Sequence, residues 1–240
     1  MNHADWARVF GLPQSDLLWT WQSYPSGSNE LDDVQLLGGD VVRQRFVPNV
    51  GRSDTGTPNQ QVVFRLDPAR KYTISQEVLF EPGWSWGKDS RDSNQLGKIG
   101  LGVLGGSHAS GGSGASDGYS SRFMWYPSNT LSAYHYHADR SQRWPYGDQA
   151  TAGQLSVGVW HSMTMEVVAN SSTGAADGSL RVWLDGELTR ELTGLRWMDS
   201  GGSTDIDQLT YASFFGGWGD KYAPPTTVYA QLRNFQVVAG

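Results

Sequence analysis

Short segments in which apolar and polar residues alternate recur along most of the chain, separated by turn-forming residues. Alternation of this kind is typical of β-strands that bury one face. The predicted strands are Asp40–Phe46, Gln60–Asp67, Tyr72–Phe80, Ser120–Tyr126, Thr130–His137, Trp160–Ala169, Leu180–Leu184, Glu187–Leu192, Gln208–Phe215 and Val228–Val238. Between two of these segments, Asp185 and Gly186 predict a two-residue hairpin turn.

Helical signals are scarce. A short helix is predicted at Asp5–Phe10, inside an N-terminal segment of residues 1–35 that we expect to wrap the edge of the domain. Many short strands with few helices favour an all-β sandwich of two antiparallel sheets, with residues 1–240 as one domain. The glycine- and serine-rich segment Gly105–Gly118 predicts a flexible loop; the alternatives are a flap over a cleft and a linker.

Composition narrows the classes of partner. The formal net charge of -6 argues against nucleic acid, and a site for an acidic polymer would need local lysine and arginine. Cysteine is absent, which excludes disulfides and thiol chemistry. No apolar stretch is long enough to predict a membrane span, and the N-terminus lacks the pattern of a signal peptide.

Two pairs of polar residues are spaced two apart in predicted strands: Ser120 with Arg122, and Tyr134 with Tyr136. Residues two apart on a strand share a face, so each pair is expected to present its side chains together. Lys98 lies nearby in a glycine-rich segment. A phenol, with a pKa near ~10, can act as a base at neutral pH if adjacent cations lower that pKa. The alternatives are packing for the tyrosines and solvent exposure for the cations.

Other chemistries have weaker support. His135 and His137 are expected on the face opposite the tyrosines, with no third ligand nearby, so we predict neither a metal site nor a cofactor. The acidic residues form no distinctive pair, which weakens glycoside hydrolysis as the reaction. His108, in the glycine-rich loop, is a candidate to reach a substrate.

Several segments occur in an order that resembles a known family: YTISQEVLFEPGWSWGK, QLGKIGLGVLGG, YSSRFMW, YHYH, GVWHSMTMEV, GSLRVWLDGE and FFGGW…NFQV. Over roughly residues 40–238 they resemble the alginate and glucuronan lyases of polysaccharide lyase family 14 and its relatives, including glucuronan lyases of family 20. The resemblance implies a β-jelly roll whose concave sheet carries a substrate groove. It also implies that Lys98, Ser120, Arg122, Tyr134 and Tyr136 line that groove.

The chain departs from the family pattern in two places. It has Leu-Gly-Lys-Ile-Gly-Leu around Lys98, where Gly-Gly-Lys-Leu-Pro-Gly-Leu is usual, and Tyr126 stands where an arginine often follows the strand tryptophan. These differences bear on which sugar is preferred.

The resemblance implies β-elimination on a 4-linked uronate polymer, either alginate, with polymannuronate favoured, or glucuronan. Arg122, with or without Lys98, would neutralise the uronate carboxylate, while the tyrosines or Lys98 would transfer protons. Ser120 and Met124 would shape the groove floor, and three tryptophans are candidate sugar platforms with core packing as the alternative: Trp84, Trp86 and Trp144.

We expect a monomer, secreted or periplasmic because of its substrate. The competing functions are a noncatalytic carbohydrate-binding sandwich and a glycoside hydrolase.

Overall fold

The computed structural model describes residues 1–23, 34–48, 59–86, 97–109, 116–126, 129–140, 150–216 and 224–240. It contains one α-helix, α1 (His3–Phe10), and short 3-10 turns at Gln14–Asp16 and Gly38–Asp40. The strands are β1 (Leu17–Ser23), β2 (Val34–Leu37), β3 (Val41–Phe46), β4 (Asn59–Ala69), β5 (Lys71–Phe80), β6 (Gly97–Gly106), β7 (Gly118–Trp125), β8 (Thr130–Tyr136), β9 (Ala150–Gln154), β10 (Trp160–Val168), β11 (Gly178–Leu184), β12 (Glu187–Leu195), β13 (Ile206–Phe215) and β14 (Val228–Ala239).

The strands form two antiparallel sheets of seven strands each. Sheet 1 has the order β1-β4-β13-β6-β7-β8-β9, and sheet 2 has the order β12-β11-β10-β5-β14-β3-β2. In each sheet, three of the six neighbouring pairs join strands that are distant in the chain, as in a jelly roll, and the predicted fold class is confirmed. Every predicted strand is present within a few residues of its expected bounds, whereas β1, β2, β6 and β9 were not predicted.

The interior lies between the two sheets, where alternate side chains of each strand meet. In β5 every second residue is buried, from Tyr72 to Phe80, which is the pattern expected of a strand with one wet face. An aromatic cluster occupies one end of the interior, with Trp84 packed 4.6 Å from Phe80, 5.3 Å from Trp125 and 5.5 Å from Phe215, measured between ring centroids. Such large rings supply buried area that long aliphatic runs would otherwise provide.

The N-terminal helix closes another part of the interior. Asn2 and Asp5 form a capping box at its start, and Gly11 ends it in the left-handed conformation with φ +66°. Its buried residues Trp6 and Phe10 stack on each other and pack against Tyr211 of β13. The predicted helix is therefore present, beginning two residues earlier than expected.

The hairpin predicted at Asp185 and Gly186 joins β11 to β12. Both residues have positive φ, +53° and +85°, as the turn requires. The Asp185 carboxylate also accepts a hydrogen bond from the backbone N–H of Ser162 and contacts Nδ1 of His161 at 2.8 Å. The turn is thus tied to the neighbouring strand β10.

In the described part of the chain, no helix has the length and apolar character needed to cross a membrane.

The outer face of sheet 2 carries ion pairs that link its strands. Glu81 accepts two hydrogen bonds from the Arg43 guanidinium, both 2.7 Å, and a third from Gln231. The pKa of Glu81 lies below its ordinary value, mainly because of the hydrogen bonds from Arg43. Partial burial acts in the opposite direction. A carboxylate that is more acidic in the folded state stabilises the fold above its unfolded pKa and loses that contribution as the pH falls.

We expect Glu81→Gln to lower the free energy of unfolding by about 1 to 3 kcal/mol at pH 7, because hydrogen bonds to a charged group are lost. The difference from the parent protein should shrink as the pH falls below about 4.3, the ordinary pKa of glutamate. Urea unfolding between pH 7 and pH 3 measures it. Glu187→Gln, at an exposed position, is the control. A difference that did not change with pH would contradict the assignment.

Candidate active site

The predicted site residues meet on one face of sheet 1, where β6, β7 and β8 are neighbours. Arg122 lies opposite Tyr134, and Ser120 lies opposite Tyr136, in the pairing of β7 with β8. On the other side of β7, Met124 lies opposite Lys98 of β6. Because residues opposite one another share a face, these side chains occupy three successive rows. We call this surface the site face; it carries Lys98, Ser120, Arg122, Met124, Tyr134 and Tyr136.

The opposite face of the same strands belongs to the interior. Tyr119, Phe123 and Trp125 of β7 pack in the main hydrophobic core, whereas Met124, Tyr134 and Tyr136 form a separate small cluster with Ala109. All described side chains of β7 are buried, on both faces. The site face is therefore sheltered from solvent, unlike the outer face of sheet 2.

The two tyrosines form the centre of the site face. Their rings are 5.6 Å apart and nearly perpendicular, and the side chains are 4% and 1% exposed for Tyr134 and Tyr136. Two cations lie against these rings: Nζ of Lys98 is 5.7 Å from the Tyr134 centroid, and the Arg140 guanidinium carbon is 4.8 Å from that of Tyr136. Both cations lie within the distance at which a ring face attracts positive charge.

Arg122 is buried beside the phenols, with only 5% of its surface exposed. Burial lowers the pKa of Arg122, and the neighbouring phenols of Tyr136 and Tyr134 act against that shift. The guanidinium remains a cation at neutral pH because its ordinary pKa lies far above that range. Within the described residues its Nε has no hydrogen-bond partner. A buried donor of this kind is suited to an incoming carboxylate, since an ionic acceptor makes the strongest hydrogen bonds.

Lys98 also lies against the ring of Phe214, its neighbour on β13, with Nζ 4.4 Å from the centroid. The ammonium group therefore lies between an apolar ring and the tyrosines. This location is compatible with the predicted role in neutralising charge or transferring a proton. That role stays a prediction.

Two hydrogen bonds hold the first part of the glycine-rich segment, at His108 and Ala109. The fully buried Ser120 hydroxyl donates a 2.7 Å hydrogen bond to the Ala109 carbonyl. His108, with φ +59°, places Nε2 2.9 Å from Oδ1 of Asp207. Residues 110–115, the middle of the predicted loop, lie outside the described residues. The Ser120 hydroxyl thus has an intramolecular partner, while His108 remains partly exposed at the margin of the site face.

The candidate sugar platforms do not join this group. Trp84 is 7% exposed within the interior aromatic cluster, and Trp86 packs against Phe80 at 4.8 Å between centroids. Both positions agree with the alternative interpretation, core packing: Trp84 belongs to the main core, and Trp86 is partly buried against it. Trp144 lies outside the described residues.

His135 lies in β8 and His137 directly follows it. Both point away from the tyrosines, as alternation predicts. His135 and His137 are buried, stack at 5.2 Å and pack near Trp197. Within the described ranges, no group of three or more histidine, cysteine or acidic side chains is arranged to hold a metal ion.

Two residues beside the site face, Arg140 and Phe214, were not predicted from the sequence. Arg140 follows the end of β8, where alternation no longer indicates which way a side chain points. Its proximity to the Tyr-x-Tyr segment was the available signal. Phe214 reaches the site only through the pairing of β13 with β6, which joins segments more than a hundred residues apart.

The described strands form a jelly roll with a buried arginine, a lysine and paired tyrosines on one sheet face, which is the arrangement that the resemblance to polysaccharide lyases implies. The sequence agrees: residues 49–235 match the family model of polysaccharide lyase 14, and the chain belongs to that family. The predicted family and enzyme class are confirmed.

Solved structures with this fold include alginate lyase Aly36B, with a TM-score of 0.77 and 18% identity, covering 100% of this chain and 91% of that one. Alginate lyase vAL-1 from Chlorella virus has a TM-score of 0.67 and 23% identity, covering 86% and 89%. Endo-β-1,4-glucuronan lyase from the fungus Trichoderma reesei has a TM-score of 0.57 and 13% identity, covering 93% and 96%. Among curated proteins, no sequence matches this chain.

Proposed function

We propose that this lyase cleaves a 4-linked uronate polymer by β-elimination and leaves unsaturated uronate ends. Alginate, with polymannuronate favoured, or glucuronan is the substrate. The observation that carries the proposal is the site face itself, where buried Arg122 lies beside two tyrosines and Lys98 occupies the next row. The solved structures of similar fold support the substrate class, since they include an alginate lyase in complex with an alginate trisaccharide.

Arg122 would bind the carboxylate attached to C5 of the uronate. Neutralising this group makes the C5 proton more acidic, because the negative charge that develops on proton removal spreads onto the carboxylate. Stabilisation of such developing charge by fixed donors is usually the largest contribution to catalysis. The burial of Arg122 strengthens the interaction, since a desolvated ion pair is little screened by water.

A tyrosine would then remove the C5 proton. The electron pair of the C5–H bond forms the C4–C5 double bond, and the C4–O4 bond breaks. A tyrosine or Lys98 would protonate the departing O4, which completes the elimination without water. Tyr134 and Tyr136 each lie beside a cation, so the roles of base and acid are exchangeable between them.

Other residues would shape the binding surface. Met124, opposite Lys98 in the row next to Arg122, would form part of the floor, with Ser120 setting the position of the adjacent segment. His108 would lie at the margin. The cations of the site face give a locally positive surface in a chain whose formal net charge is -6.

We also propose that residues 1–240 form one lyase domain that acts as a monomer. Packing of α1 against the interior supports inclusion of the N-terminal segment. A polymeric substrate favours a secreted or periplasmic location, because such chains are degraded outside the cytoplasm.

With polymannuronate, polyguluronate and glucuronan as separate substrates, we expect ultraviolet absorbance of the unsaturated uronate to rise with at least one of them. Reducing ends measured in parallel should rise in proportion. Binding without new absorbance would indicate a carbohydrate-binding module, and reducing ends without absorbance would indicate a hydrolase. Either result would contradict the lyase.

We expect Tyr134→Phe or Tyr136→Phe, or both, to abolish turnover, because the phenol oxygen carries the proton while the ring supplies the packing. Initial rates on the best polymer measure the effect, and circular dichroism checks the fold. Tyr229→Phe is the control, since this tyrosine lies on sheet 2, away from the site face, and the change keeps the ring that contacts Arg43. Normal turnover by both site variants would refute the tyrosine assignment.

We expect Arg122→Ala to lose about 2.7 to 4 kcal/mol of transition-state stabilisation, as removal of a donor that stabilises developing charge typically does. Arg122→Lys keeps the charge but not the planar pair of donors, so its kcat should fall between those of the parent and the alanine variant. Arg190→Ala, at an exposed position, is the control. Unchanged kcat/KM in Arg122→Ala would exclude this residue from the mechanism.

A further inference from the structure

Gln76 is a buried amide in the middle of an apolar row. It lies on β5 of sheet 2 between Ile74 and Val78, all three facing the interior, and is 1% exposed. A polar side chain in such a place lowers stability unless its donors and acceptors are satisfied. Its partners therefore indicate why an amide occupies this position.

The Gln76 side chain crosses the interior and binds the other sheet. Its Nε2 donates to the Ile99 carbonyl at 2.9 Å, and its Oε1 accepts from the Leu101 N–H at 2.8 Å. Both partners belong to β6, on either side of Gly100. The amide therefore clamps one particular residue of the strand that carries Lys98.

The backbone conformation of Gly100 and its lack of a side chain make room for the Gln76 amide. It has φ +84°, a conformation that favours glycine, and a Cβ added there would lie 2.0 Å from Gln76 Oε1. Any larger residue would both strain the backbone and displace the glutamine side chain. The backbone at Gly100 and the Gln76 amide are therefore mutually dependent.

A bulge occurs at this point in the pairing of β6 with β7. Gly102 lies opposite Arg122, and Lys98 lies opposite Met124, so Ile99, Gly100 and Leu101 together oppose Phe123 alone. On the β13 side the register is continuous through the same residues. The extra residues of β6 thus interrupt its pairing with β7, which carries Arg122, but not its pairing with β13.

The bulge determines where Lys98 lies. If the pairing of β6 with β7 continued without interruption from Gly102, Gly100 would lie opposite Met124. Lys98 would then lie two residues further along, past the last residue of β7. This would displace Lys98 by roughly 7 Å at the usual rise of a strand. The bulge instead places Lys98 in the row next to Arg122 and Tyr134. Bulges often reposition a side chain near an active site in this way.

We infer that Gln76 is a positioning residue, which holds the β6 bulge from the opposite sheet and thereby sets Lys98 in the active site. The inference rests on the proposed function, because Lys98 acts in that reaction. Gln76 itself lies in the interior and does not touch the substrate. It acts through Lys98.

The test is a double-mutant cycle between Gln76→Met and Lys98→Ala on the best polymer. Met fills the space but leaves the Ile99 carbonyl and the Leu101 N–H without their partner. We expect Gln76→Met to lower kcat by about 10- to 100-fold, since a misplacement of about 1 Å costs on that order. In the Lys98→Ala background, Gln76→Met should have little further effect on kcat, because the lysine through which Gln76 acts is already absent.

Gln44→Met is the matched control. Gln44 is also fully buried in sheet 2, on β3, and its side chain donates to the carbonyl of the adjacent Arg45. Its replacement should change stability without selective loss of kcat and without coupling to Lys98→Ala. Gln76→Glu is the conservative variant: as a neutral acid it can donate to the Ile99 carbonyl and accept from Leu101, so it should recover activity at low pH and lose it as the carboxyl ionises.

The outcomes separate the inference from the proposed function. Inactivity of the parent protein on all three polymers would refute the function, and normal kcat in Lys98→Ala would refute the role of Lys98. With the parent active and Lys98→Ala impaired, additive effects of the two changes, or near-normal kcat in Gln76→Met, would overturn the inference. If Gln76→Met does not fold, the pH profile of Gln76→Glu decides: a profile identical to that of the parent protein would equally overturn it.

Discussion

Burial of one face of every strand between the two sheets is the constraint on which the rest of the structure depends. Side chains alternate along a strand, so a slip of one residue in β7 would expose Phe123 and Trp125 and turn Arg122 into the apolar interior. The hydrophobic packing of the sandwich therefore fixes the register of the strands that carry the site. The chemistry follows from that register, because it decides which polar groups meet on the site face.

The site face combines burial with positive charge. Arg122 lies beside two phenols, with Lys98 and Arg140 against the tyrosine rings. Desolvating a guanidinium has a substantial cost, which is offset when an anion binds to it. The arrangement is thus more favourable with a carboxylate present than without one. This explains how a chain with an overall negative charge can offer a site for an acidic polymer.

Much of the fold could be predicted from alternation and turn chemistry. The strands with clear period-two patterns and the Asp185-Gly186 hairpin are found within a few residues of their predicted places. β6 was missed because glycine has no side chain to show alternation, and its pairing is stabilised by neighbours distant in the chain. Trp84 illustrates the converse limit: a tryptophan near a turn has the same sequence signature whether it packs inside or binds sugar, and only its neighbours in space show that it is interior.

The sequence by itself determined which residues share a face within each strand, and the order of its motifs identified the family. Tertiary structure decided how those strands combine. It placed Lys98 beside Met124 through a bulge clamped by Gln76 of the other sheet, used the Ser120 hydroxyl to hold Ala109, and brought Arg140 onto Tyr136. The physical reason is that alternation is a local property of the chain, whereas register, bulges and contacts between sheets depend on packing between residues far apart in sequence.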